Sequence, residues 1–112
     1  MKIAVVGTCA SGKSTIVAAL RERGHDAYVV SQEHSIVKEL WRHLGPDIMV
    51  MLEADYDVVR RRRGGSWPRW LYDEQRIRLL DAREHANVIL DTSDRSIDEC
   101  VKVVSATVSE AS

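Results

Sequence analysis

The 112-residue chain lacks most of what marks a secreted or membrane-spanning protein. Its two cysteines, Cys9 and Cys100, are too few for a disulfide framework, and it opens on a strand pattern where an export signal would be basic and then apolar. No apolar run approaches the roughly 20 residues that a bilayer-spanning helix needs, so no membrane association is expected. Neither charge sign dominates. With 16 Lys and Arg against 17 Asp and Glu, no global field draws in nucleic acid or an anionic surface, and any anion site must be local. The four histidines, His25, His34, His43 and His85, show none of the spacings that build a zinc site. Repeats, linkers and low-complexity tracts are also missing. These absences predict one domain over residues 1–112 in a reducing, cytoplasmic setting.

What is present is enough for a small core: 45% of residues are apolar and 29% charged, which excludes a disordered chain. Ile3-Ala4-Val5-Val6 is a short continuous apolar run of the kind found in strands buried on both faces. Ile16, Ala19 and Leu20 then fall at helical spacing, with Gly24 placed as a C-terminal cap, which predicts a helix over Lys13 to Arg23. Ala27 to Val30 reads as a second strand. Ile36, Val37, Leu40, Trp41 and Leu44 predict a second helix stopped by Gly45-Pro46, with Trp41 in the core. Ile48 to Leu52 reads as a third strand, followed by a short helix capped by Asp55 and broken at Gly64-Gly65. Ser66 to Ala86 predicts one charged surface helix, with Trp70, Ile77 and Leu80 on a common face. Val88 to Leu90 gives a fourth strand. The last helix opens with the capping box Ser96-Ile97-Asp98-Glu99. Strands alternating with helices predict an α/β fold of three layers around a four-stranded parallel sheet.

Residues Gly7-Thr8-Cys9-Ala10-Ser11-Gly12-Lys13-Ser14 match GxxxxGK(S/T), between the first strand and the first helix where the chemistry requires it. Gly7 and Gly12 allow close approach and unusual backbone angles, so consecutive N–H groups can turn inward around an anion. The helix N-terminus adds partial positive charge, Lys13 a full one for the β- and γ-phosphates, and Ser14 a hydroxyl for Mg²⁺. The segment from Gly7 through Thr15 is therefore a candidate triphosphate cradle. Cys9 within it reads either as a small filler or as an oxidisable thiol.

On these residues the chain resembles the P-loop NTPases, and more narrowly their small-molecule and nucleoside-monophosphate kinase branch, which includes the shikimate-kinase-like enzymes. Two further segments carry the likeness. Ile48 to Arg63 resembles that branch's strand, short helix and arginine-bearing lid. Val88 to Ser93, with the helix after Ser96, resembles its adenine-side turn and closing helix. The guanine-reading Asn-Lys-x-Asp of switch GTPases does not occur. The resemblance implies ATP as phosphate donor, Mg²⁺ as cofactor, and Thr92 to Arg95, including Thr92 and Arg95 themselves, beside the base. It also implies five core strands and a helical acceptor-binding insertion, whereas here only the second helix separates the second strand from the arginine unit, as if one strand and the insertion were missing. If the second strand then lies beside the first, the sheet order becomes 2-1-3-4. Ligands of open α/β sheets bind beyond the carboxyl ends of the strands, at the switch in strand order, and Glu33 then reaches the phosphates. Glu33 is the candidate to orient Mg²⁺-bound water or to act as base on an acceptor hydroxyl, with Asp55 and Asp91 as alternatives and an ordinary helix cap as its plain role.

Eight arginines lie between Arg60 and Arg83. A lid arginine can stabilise charge on a moving phosphoryl group, which makes Arg60 to Arg63, with Arg60 and Arg63 foremost, and Arg69 candidates for that work. Arg76, Arg78 and Arg83 read instead as a solvated face balanced by acidic neighbours. The Arg60–Gly65 run is a weak signal for nucleic acid. Trp67 and Trp70 suit either stacking on a ring or anchoring an interface. The resulting expectation is a compact kinase-like phosphotransferase moving the γ-phosphate of Mg-ATP to a small acceptor, alone or as a homo-oligomer that lends a surface. The alternative is a nucleotide-responsive switch with slow or no hydrolysis.

Overall fold

The computed structural model describes residues 1–111. Four strands, β1 (Lys2–Gly7), β2 (Asp26–Val29), β3 (Ile48–Glu53) and β4 (Val88–Asp91), form an all-parallel sheet in the order β2-β1-β3-β4, as the sequence led us to expect. Because β1 is central, both its faces are covered and its side chains divide by pleat. Ile3 and Val5 pack on one face with Ile16, Val17 and Leu20 of α1 (Lys13–Glu22) and with Cys100, Val101 and Val104 of α5 (Ile97–Ala111). Ala4 and Val6 pack on the other with Trp41, Met49, Met51, Leu79 and Ala82. The three layers follow from that division. Half of the capping box forms, with Ser96 Oγ accepting from the Glu99 N–H at 3.2 Å, while the Glu99 carboxylate accepts from the Ser96 hydroxyl at 3.2 Å.

Two segments depart from the sequence reading. Residues 36–44 do not form a helix; the chain makes 3₁₀ turns at Gln32–His34 and Leu40–Arg42. The fully buried Gln32 side chain takes the backbone groups a helix would have paired, accepting from Trp41 N–H at 3.0 Å and donating to Val37 C=O at 2.6 Å. Ile36, Val37 and Leu44 are left exposed, and only Trp41 enters the core, its indole N–H donating to Asp81 at 2.9 Å.

The expected long helix over 66–86 is two helices, α3 (Arg69–Arg78) and α4 (Leu80–His85), broken at Leu79. Pro68 is the cap before α3 and lies outside its first turn. The face bearing Trp70, Ile77 and Leu80 points outward, while Tyr72, Gln75, Leu79 and Ala82 are buried. Between β3 and α3, α2 (Tyr56–Arg62) ends before Gly64-Gly65 as anticipated, with the Gly65 N–H bonded to Arg60 C=O at 2.8 Å. Val59 of α2, Tyr72 of α3 and Ala54 form a small separate cluster beside the loop after β1.

Candidate phosphate-binding site

The loop from Gly7 to Gly12 leaves the carboxyl end of the central strand and turns directly into α1. Its tightness depends on Gly7. A Cβ there would lie 2.5 Å from Leu52 C=O and 2.6 Å from Ser11 Oγ, so any side chain would drive the loop away from β3. Gly12, the residue before α1, has φ 101°, which side-chain-bearing residues rarely adopt. Ala10 also has positive φ, 58°, and it is the one residue other than glycine that does so among the described residues. This left-handed conformation costs an L-residue about 1 kcal/mol, and the loop therefore carries strain at Ala10.

Lys13 folds back over the loop. Its ammonium donates to Gly7 C=O at 2.9 Å and Thr8 C=O at 2.8 Å and pairs with Glu33 Oε2 at 2.7 Å. All three of its donors are thereby engaged. Glu33 arrives from the 3₁₀ turn after β2, next to the central strand on the side the strand order predicts, and its residue is only 3% exposed. Its other oxygen, Oε1, is buried without a hydrogen-bond partner, as are Thr8 Oγ1 and Ser11 Oγ within the loop. Three buried oxygens thus converge on the loop with unused lone pairs. Ser14 and Thr15 stand exposed in the first turn of α1, where backbone N–H groups have no intrahelical acceptor.

The two flanks of the loop are held by Gln75, which the sequence reading does not single out, and by Arg62 and Thr92, which it places at the phosphates and the base. On one, fully buried Gln75 of α3 accepts from the Cys9 N–H at 3.0 Å and donates to Cys9 Sγ at 3.2 Å. The Cys9 amide, expected to face an anion, is therefore occupied, and the Ser11 amide is bonded to Thr8 C=O at 3.2 Å. On the other, Arg62 donates to Ala10 C=O at 2.8 Å and to Thr92 C=O at 2.8 Å, and lies 3.2 Å from Thr92 Oγ1. Thr92 Oγ1 in turn donates to Ser11 C=O at 2.7 Å. A lone glutamine amid charged neighbours was the available signal for the Gln75 clamp.

Within the arginine run the structure separates what the sequence could not. Arg62 reaches the loop. Arg63 stacks over Trp67 at 4.6 Å and, with Arg62, Arg95, Thr92, Gly12 and Thr15, lines a cavity of about 410 Å³ beside α1. Arg60 is not brought to the loop and pairs with Asp57 at 3.7 Å on the exposed side of α2. Arg69, a lid candidate, instead pairs one turn away with Asp73 at 3.3 Å; Arg78 makes the expected pair with Glu74 at 3.4 Å, but Arg83 crosses to Glu53 at the end of β3, at 2.9 Å. That contact raises the Arg83 pKa, first through the hydrogen bond to Glu53 and then through its charge. Asp55 precedes α2 with no side-chain cap bond, and Asp91 folds back to accept from Ser93 N–H at 2.8 Å.

A second cavity, of about 270 Å³, opens between the end of β3 and the helices α3 and α4. Thr8, Glu53, Tyr72, Arg76, Ile77 and Leu80 are among its walls, so it combines an apolar side with both charge signs and touches the loop through Thr8. Burial pushes the Tyr72 hydroxyl pKa up, and that hydroxyl donates to Ala54 C=O at 2.6 Å.

No helix among the described residues is long and apolar enough to cross a membrane. No protein-family model matches the chain. The 144 aligned positions of its match to one relative exceed this chain's 112 residues, so that relative carries segments with no counterpart here. The match is 26% identical and takes in 95% of this chain and 81% of the relative, an Archaeoglobus fulgidus protein described as "Putative adenylate kinase", to which this chain is therefore similar.

Proposed function

We propose that the chain is a kinase-like phosphotransferase that takes the γ-phosphate of Mg-ATP and passes it to a small acceptor. The observation that carries this reading is the Lys13–Glu33 pair at 2.7 Å, lying across a strained loop whose own oxygens have unused lone pairs. A buried ammonium held by two carbonyls and one carboxylate is poised to exchange those partners for phosphate oxygens, which are acceptors of the same kind with more charge. The similarity to a protein described as an adenylate kinase supports nucleotides as the ligands.

The residues present fit Mg²⁺. It is a hard cation that takes oxygen donors and keeps several waters, and the exposed Ser14 hydroxyl and the unpartnered Glu33 Oε1 are oxygens of that kind. Held there, Mg²⁺ would supply positive charge against that of the phosphate oxygens. Lys13 and the amides at the start of α1 then hold the β- and γ-phosphates. Glu33, released from Lys13, holds metal water or accepts the acceptor's proton. Arg63 and Arg95 face the cavity beside Thr15 and Thr92, where the base and its sugar would lie. Arg62 steadies the loop through Ala10, and Arg60 would have to move to take part. The acceptor fits the smaller cavity between β3 and α3, next to Thr8, where Arg76 could hold an anionic group.

Mixing the protein with Mg-ATP and metabolite pools tests the proposal. Release of ADP that depends on an added acceptor supports the kinase, and tight binding without turnover supports a nucleotide switch. At a hundredfold excess over its dissociation constant, ATP should stabilise the fold by about 2.7 kcal/mol in a melting experiment. The Lys13→Ala variant should lose that shift, and a shift unchanged by the substitution would remove the loop from the reaction.

A further inference from the structure

We infer that Cys9, Glu33 and His34 form a site for a borderline-soft divalent cation, Zn²⁺ above all, at the mouth of the phosphate loop. Cys9 comes from the loop and Glu33-His34 from the 3₁₀ turn after β2, so no local spacing announces the group; the β1–β2 pairing brings it together. One ligand atom from each residue lies within 4.8 Å of the others. Cys9 Sγ and His34 Nε2 are 3.6 Å apart. Zn–S and Zn–N bonds of about 2.3 and 2.0–2.1 Å at a tetrahedral angle put sulfur and nitrogen about 3.5 Å apart, so that edge is already set. His34 Nε2 lies 3.8 Å from Glu33 Oε2, and a small rotation of the exposed imidazole shortens this.

The chemistry of the three donors is more selective than their number. Thiolate and imidazole favour Zn²⁺ over Mg²⁺, which takes oxygen ligands, while the carboxylate adds the charge that compensates a buried divalent ion. Glu33 supplies the second observation. One of its oxygens is taken by Lys13, and the other is buried and unpartnered, an acceptor with nothing to accept. Three protein ligands leave a tetrahedral ion one open position, which water or a phosphate oxygen can fill. Binding converts the Cys9 thiol to a thiolate, and the proton passes to solvent. Gln75 already orients the sulfur through its 3.2 Å contact, the kind of outer support that fixes a metal ligand's direction.

Zn²⁺ at this position draws on the carboxylate that now neutralises Lys13. The ion and the ammonium are therefore competitors for Glu33.

The test uses metal alone, with no nucleotide, so it can fail or succeed independently of the kinase reading. Reduced, chelator-stripped protein is titrated with Zn²⁺ by calorimetry and with Co²⁺ by absorption. The expected result is one equivalent bound, with a near-ultraviolet thiolate-to-cobalt band and the visible bands of a tetrahedral ion. Cys9→Ser should abolish the thiolate band. His34→Ala should weaken Zn²⁺ binding at least tenfold, as should the milder H34Q, while Cys100→Ser, at a buried thiol outside the group, should leave it unchanged. His34 is largely exposed, and far-ultraviolet circular dichroism on the metal-free variants checks that they fold. Absence of stoichiometric binding, a cobalt complex without the thiolate band, or wild-type affinity in both His34 variants would overturn the assignment.

Discussion

The two flanks of the phosphate loop are fastened by different physics. On the flank facing β2 and α3 the fastenings are buried: Glu33 on Lys13, and Gln75 on Cys9. On the flank facing α2 and β4 the fastening is Arg62, which joins Ala10 and Thr92 near the surface through backbone carbonyls. A buried charge pair is stiff because neither partner can return to water, whereas a partly solvated arginine can exchange carbonyls for water or phosphate at small cost. The first flank therefore sets where the ammonium waits, and the second is the side on which the loop can open.

Four further substitutions or conditions sharpen that contrast. Glu33→Ala should have the largest effect on stability, about 3 kcal/mol by chemical denaturation, because it leaves the Lys13 ammonium buried without its carboxylate. A loss below about 1 kcal/mol would show that Lys13 simply turns outward. Arg62→Ala should cost about 1 kcal/mol and chiefly loosen the other flank, seen as faster amide exchange at Ala10 to Gly12 with the core unaffected. A loss as large as that of Glu33→Ala would erase the distinction between flanks. Ala10→Gly should stabilise by about 0.5 kcal/mol, since relief of the left-handed strain exceeds the extra freedom gained by the unfolded chain. Destabilisation would mean that the Ala10 methyl, packed against the small Val59–Tyr72 cluster, outweighs its strain.

The smallest effect belongs to Cys100, a core residue of α5 that holds neither flank. Burial raises its thiol pKa, with Arg95 opposing and Glu99 reinforcing. Above the ordinary thiol range the unfolded chain loses that proton first, so the native state binds more protons and stability falls as pH rises. That contribution is fully present below the unfolded pKa and is lost on passing through the higher folded one. Cys100→Ala should flatten the alkaline limb of the stability profile slightly, and an unaltered limb would assign the slope to other groups.

The readable and unreadable parts of the chain differ in how local their causes are. Gly7, Gly12 and Lys13 act on the backbone within a few residues of themselves, so their spacing carried the strand–loop–helix unit. The four apolar runs likewise marked the strands, and the missing strand of the family pattern pointed to β2 beside β1, the neighbour it has in the sheet, with Glu33 at the loop. Residues 36–44 misled because helical spacing of apolar side chains stabilises a helix only where a surface receives them; the structure offers one only to Trp41, and Ile36 stays 86% exposed. In α3 the more apolar stripe faces outward, with Trp70 at 70% exposure, because the inner positions are taken by Tyr72 and Gln75, whose polar ends satisfy Ala54 C=O and the Cys9 amide.

Composition and order along the chain determined the α/β class and a glycine-framed turn fit for an anion, since each depends on local patterning, while the sheet order was legible only once the family resemblance was joined to the shortened chain. Only the folded molecule decided that Arg62 and not Arg60 meets the loop, that Gln75 occupies one of its amides, and that Cys9, Glu33 and His34 share a corner. These contacts join residues 24 to 66 positions apart, and which partner a long side chain finds at that separation depends on the packing of every element between.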